Sequence, residues 1–132
     1  MRLILTTVLL LPLITTAFAQ DEKPDCTDPQ DQSSMTYCAG VDFDKADKDL
    51  NALWPEIKKA AQEDDANVGN GTHEYLDALM ASQRAWLAYR DAECTWQGFY
   101  AHGGSMEPML VNACLAKLTE ERVKALKESQ EQ

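Results

Sequence analysis

The sequence predicts an all-α fold: a small three-helix antiparallel bundle with a disulfide-stapled helical hairpin. Three observations carry that prediction. Cys94 and Cys114 stand ten residues on either side of Gly104, in a segment that reads as helix, Gly-Gly turn, helix. Folded back antiparallel, the two sulfurs reach one height on facing surfaces, where a bond can close. Apolar residues recur at helical spacing through the rest of the chain, and no stretch shows the strict alternation of a half-buried strand.

Residues 1–19 read as a secretory signal peptide. Arg2 forms a short positive region, an apolar run extends from Leu3 to Phe18, and Ala17-Phe18-Ala19 supplies a small-x-small cleavage site. Pro12 interrupts the run, and Asp21 and Glu22 follow it at once, which argues against a membrane anchor. A lipoprotein needs a cysteine directly after the run, whereas Cys26 comes several residues later. The protein is therefore expected to be periplasmic or secreted, with no membrane anchor after signal removal. Residues 20–27 are polar, contain Pro24, and are expected to form a flexible segment; residues 28–132 form a single helical domain. A domain of that length hides roughly 65% of its unfolded surface, so disulfides would help to hold it.

The first helix is predicted over residues 29–62. Asp28 and Pro29 supply an Asx cap and a first-turn proline, and Met35, Ala46, Leu50, Leu53, Trp54 and Ile57 supply the apolar stripe. Gly40 is a weak point where the helix is open to a break, and Pro55 predicts a kink. Residues 63–71 (EDDANVGNG) have no apolar periodicity and predict an exposed acidic loop. Thr72 is the expected cap of the second helix, which places Leu76, Leu79, Met80, Gln83, Trp86, Leu87, Arg90 and Cys94 near one face. Ser105 is the expected cap of the third. Pro108 lies in its first turn, and Leu110, Cys114, Leu115, Leu118, Arg122 and Leu126 follow along it.

Four cysteines allow three pairings. The hairpin symmetry favours Cys94–Cys114 and, by subtraction, Cys26–Cys38. The second pair requires the chain before the first helix to double back, or the early helix to be short. No Cys-x-x-Cys pair occurs, so a zinc site is not expected. Two disulfides imply an oxidising compartment, in agreement with the signal peptide. The formal charge is −10, and removal of residues 1–19 takes Arg2 and no acid, leaving −11. Such a surface repels nucleic acid and anionic membranes and favours a cationic partner.

Arg90 and Arg122 interrupt apolar helical stripes, and Asp47 lies one turn before Leu50. Buried charges persist only when paired, so Asp47, or Asp91, is expected to join Arg90 and Arg122 in a structural ion network. Trp54 and Trp86 fit the core by spacing. Trp96, Phe99 and Tyr100, near the Gly-Gly turn, form a candidate exposed aromatic patch. Only His73 and His102 are available as neutral-pH bases, and they fall in separate loops. With no nucleophile motif, no phosphate-binding loop and no metal or cofactor motif, the sequence does not read as an enzyme.

The segment SQRAWLAYRDAEC from Ser82 to Cys94 is followed by His102-Gly103-Gly104-Ser105, Cys114, Thr119, Arg122 and Leu126. Cys26, Cys38 and the stretch ADKDLN from Ala46 to Asn51 precede it. This ordered set resembles the lysozyme inhibitor LprI-like family of secreted bacterial proteins, over about Cys26 to Leu126. The resemblance implies a helical, disulfide-bonded extracytoplasmic domain and a lysozyme as the cationic partner. On that reading the loop His102, Gly103, Gly104, Ser105 is the candidate target contact: two glycines allow close backbone approach, and His102 or Ser105 could bond catalytic carboxylates. The loop at residues 63–71 is a second candidate. The rival readings are a non-inhibitory envelope interaction module and a binder of peptidoglycan fragments through Trp96, Phe99 and Tyr100.

Overall fold

The computed structural model describes residues 23–69 and 71–131. They form α1 (Gln32–Val68), α2 (Glu74–Gly98), a 3-10 turn (Phe99–Ala101) and α3 (Glu107–Glu128). Among the described residues there is no strand, and the all-α expectation holds. The signal-peptide reading of residues 1–19 lies outside the described residues.

α1 starts later and ends later than its sequence signals suggest. Asp31, not Asp28, is the cap: its Oδ1 accepts the Ser34 backbone N–H at 2.8 Å and its Oδ2 accepts the Ser34 hydroxyl at 2.8 Å. Those two bonds hold the Asp31 carboxyl below its ordinary pKa. The late start is what lets Cys38 bond Cys26. Residues 23–31 lie outside the helix and the chain doubles back, leaving the two Cα atoms 5.4 Å apart. The described part of the segment expected to be flexible is therefore tethered. α1 then runs unbroken past Gly40 and Pro55. A Cβ at Gly40 would stand 3.4 Å from Asn112 Nδ2, so this glycine marks close approach to α3 and not a break.

The acidic stretch expected to be a loop continues the helix to Val68, where Gly69 takes the left-handed conformation (φ 69°) that ends it. The stretch lacks apolar periodicity, which is why the sequence argued for a loop there, and acids at a helix C-terminus also oppose the macrodipole. The structure gives one of them a use. Asp65 is buried, and its carboxylate accepts the backbone N–H groups of Tyr75 at 2.9 Å and Leu76 at 3.2 Å. It thus caps α2 from a neighbouring helix. Thr72 lies one residue outside the cap position, which belongs to His73, whose side chain makes no capping bond. Replacing Asp65 with Ala is expected to cost about 1–2 kcal/mol, the range for losing a helix cap, here one whose acceptor is buried. Urea unfolding of the variant, with the D65N variant as the smaller perturbation, checks this.

Cross-helix contacts define the topology. From Gln83–Arg122 through Arg90–Thr119 and Cys94–Cys114 to Gly98 beside Val111, numbers rise on α2 as they fall on α3, so the pair is antiparallel. Asp47–Arg90 and Asp65–Tyr75 give the same relation between α1 and α2. α1 and α3 run parallel and share the most extensive contact. Their core is Leu50 and Ile57 with Val123 and Leu126, against which Leu53, Trp54, Leu79 and Trp86 pack.

Candidate target-binding surface

α2 is about 37 Å long at 1.5 Å per residue, so the two interhelical turns stand at opposite ends of the molecule. His73 lies at the α1–α2 end and His102 at the α2–α3 end, so neither can assist the other. The two loops considered as target contacts are likewise separated, and one enzyme cleft cannot hold both.

At the α2–α3 end, Gly98 closes the hairpin. A Cβ there would stand 2.5 Å from Val111 Cγ2 and 3.5 Å from Glu107 Cγ, and Val111 is β-branched and cannot swing clear. The Gly98→Ala variant is expected to lose about 1–3 kcal/mol by overpacking, read as a lowered unfolding midpoint. Past this contact the chain makes the 3-10 turn and then the loop. Gly103 has φ 74°, which suits glycine, and Gly104 N–H donates to Ala101 O at 2.8 Å.

The loop is pinned by Glu107, a residue the sequence reading passed over. Its Oε2 accepts the Gly103 backbone N–H at 2.7 Å, and its Oε1 lies 3.2 Å from His102 Nδ1. The His102 ring also stands 4.6 Å from the Phe99 ring, centroid to centroid. A glutamate three residues after Gly104, at the first position of a helix, resembles the reciprocal arm of a capping box and was the available signal. Ser105, expected to cap α3, makes no such bond; the cap position is Met106. Ser105 instead borders a shallow depression with Ser33, Thr36 and Tyr37 of α1.

The pin also constrains what His102 can offer. A carboxylate only accepts, so the bond to Glu107 places the proton on Nδ1 and leaves Nε2 an acceptor in the neutral ring. A target carboxylate would be met only by the doubly protonated ring. The Gly103 N–H, and then His102, hold the Glu107 carboxyl below its ordinary value of 4.5. For a lowered carboxyl, the stabilising contribution is present above its ordinary pKa and is lost as pH falls through the lower, folded value. The loop should therefore stay pinned near neutrality and be released only in acid below 4.5. Titration of the Gly103 amide proton by NMR checks this, with the midpoint expected below that of an unperturbed glutamate.

Beside the loop, Trp96, Phe99 and Tyr100 are exposed by 69%, 53% and 90%. With Leu110, Cys114 and Lys117 they line an open groove of about 690 Å³ between the end of α2 and α3. The structure thus brings the three aromatics to one surface with Leu110, from the stripe expected on the third helix, and adds Lys117, which no local pattern singled out.

The charged residues expected in one network separate. Arg90 is buried and lies 3.7 Å from Asp47 and 2.9 Å from Asp91. Arg122 takes neutral partners instead, donating to Gln83 Oε1 at 3.0 Å and Ser82 Oγ at 3.2 Å. Partial burial lowers its pKa. Its guanidinium stays charged and lies 5.7 Å from the Trp86 ring, so aromatic and amide groups replace the expected carboxylate. Among the described residues, no group of three or more His, Cys, Asp or Glu could hold a metal ion, and no helix is long and apolar enough to cross a membrane.

The family model described as Lysozyme inhibitor LprI matches residues 25–126. The chain belongs to that family. The LprI match takes in both disulfides, Arg90 with its partners, the pinned loop and the aromatic groove. The chain is also 44% identical over 126 residues to "Uncharacterized protein R02472" of Rhizobium meliloti (strain 1021), covering 93% of this chain and 91% of that relative. No solved structure matches.

Proposed function

We propose that this LprI-family domain is a periplasmic or secreted inhibitor that binds a cationic lysozyme-type cell-wall hydrolase and occludes its substrate cleft, without itself turning over a substrate. Family membership over residues 25–126 carries the reading. A formal charge of −10 supports it, because an acidic surface steers a basic enzyme toward contact and raises the association rate. The pinned end of the α2–α3 hairpin supports it as well. A loop already ordered by Glu107 loses little conformational freedom on entering a cleft, and Gly103 and Gly104 keep its backbone accessible.

The test is turnover of a cell-wall substrate by lysozymes of several classes, with and without the oxidised protein, across a salt series. Inhibition near stoichiometric ratio that weakens as salt rises is expected. Undiminished turnover with every class would remove the inhibitor reading.

A further inference from the structure

We infer that the aromatic groove between the end of α2 and α3 is the surface that holds the target enzyme, with Trp96 and Tyr100 as its anchors and Lys117 opposing the encounter. The inference rests on the inhibitor reading above. It places the affinity in the groove and leaves to the loop the role of blocking.

Trp96, Phe99 and Tyr100 lie within five residues of one another, and Tyr100 at 90% and Trp96 at 69% exposure contribute little to the fold. Trp and Tyr are the side chains that dominate interface energetics, since each offers a large rigid surface at the cost of two side-chain torsions. Their backbone is unusually well held. They sit on the last turn of α2 and the 3-10 turn, beside the Cys94–Cys114 disulfide, whose Cys114 lines the groove, and next to the tight Gly98–Val111 contact. A groove built this way binds with little loss of freedom.

Charge chooses between a protein and a small anionic ligand. Around the groove, Glu93 accepts a hydrogen bond from Gln97 at 2.9 Å and Glu107 is pinned, which continues the acidity of the whole chain. Lys117 is the exception within the lining. Among the described residues it has no ion-pair partner to cancel its charge in the groove. A carboxylate-bearing glycan would use Lys117; a basic enzyme would be repelled by it. The formal charge of −10 favours the basic enzyme, so the sign of the Lys117 effect identifies the occupant.

The probe is a basic chicken-type lysozyme, with association and dissociation rates measured at low and high salt for the full oxidised chain. The W96A/Y100A double variant is expected to keep the wild-type melting temperature and to lose at least about 30-fold in affinity, chiefly through faster dissociation. The K117E variant is expected to associate severalfold faster at low salt, with the gain vanishing at high salt. An inhibiting wild type whose W96A/Y100A variant retains affinity within about threefold would overturn the inference and leave the inhibitor reading standing. Slower association of K117E would overturn it too, as would saturable quenching of tryptophan fluorescence by a muramyl peptide that K117E abolishes, since both indicate an anionic occupant. A wild type that neither binds nor inhibits the probe or any other lysozyme class overturns the inhibitor reading itself, and the inference with it, before any variant is compared.

Discussion

Replacing Cys94 and Cys114 together with alanine is expected to lower the unfolding free energy by about 3 kcal/mol, the loop-closure estimate for a bridge spanning some twenty residues. The estimate counts the freedom returned to the unfolded chain. Here it stands undiminished, because the two helices joined by the bridge remain packed along their length and cannot regain that freedom while folded. Cys94 is fully buried and Cys114 nearly so, so the truncation also removes packed sulfur. The comparison with Cys26–Cys38 makes the point testable. Its sequence separation of 12 would give a similar unfolded-state term, yet residues 23–31 lie outside α1 and are mostly exposed. Once cut, they can fray in the folded protein and recover part of the entropy, so that variant should lose only about 1 kcal/mol. Denaturant unfolding of the two double variants should rank them in this order; equal losses would mean that the N-terminal segment is held by more than its disulfide.

Replacing Arg90 with alanine is expected to cost about 3 kcal/mol, in the range for truncating a large buried side chain. Arg90 is the point where the three helices meet. Its Nε and Nη2 both lie 2.9 Å from Asp91 Oδ1, its Nη1 donates to the Thr119 hydroxyl at 3.3 Å, and Asp47 stands 3.7 Å away. The guanidinium carbon lies 5.4 Å from the Phe43 ring centroid and 5.2 Å from that of Trp86, within cation–π range of both. The aspartates differ from the arginine in one respect that sets the size of the effect. Asp47 and Asp91 are 42% and 62% exposed at the side chain, so each regains water when Arg90 is removed. Thr119, with no exposure, cannot. The Arg90→Met variant, which keeps the volume between the two rings, should therefore lose only about 1 kcal/mol, from the buried hydroxyl left without its partner. If methionine proved as damaging as alanine, the charge and its fork of donors would outweigh packing. Urea midpoints of the two variants separate these cases.

The sequence by itself determined the helices, their number and the hairpin bridge, because each of these follows from spacing along the chain. A stripe at 3.6-residue period makes a helix wherever its partner lies, and two cysteines equidistant from a Gly-Gly turn meet if the hairpin closes. It also determined that Arg90 needed company, since an arginine on an apolar stripe must be satisfied. Only the tertiary structure decided which groups satisfy it. Arg90 took aspartates and two rings, while Arg122, on an equally apolar stripe, took Gln83, Ser82 and the same Trp86 ring. Desolvation and hydrogen-bond geometry depend on neighbours brought from other helices, and no spacing along one helix encodes them. The end of α1 was lost for the same reason. An acidic stretch with no apolar periodicity reads as loop until Asp65 is seen to serve the first amides of α2. Lys117 likewise sits on α3 as an ordinary charged residue in sequence and becomes the lone cation in the groove lining only when α2 and α3 lie side by side. Glu107 differs, because its bonds to Gly103 and His102 are local and its capping-box spacing was legible in the sequence.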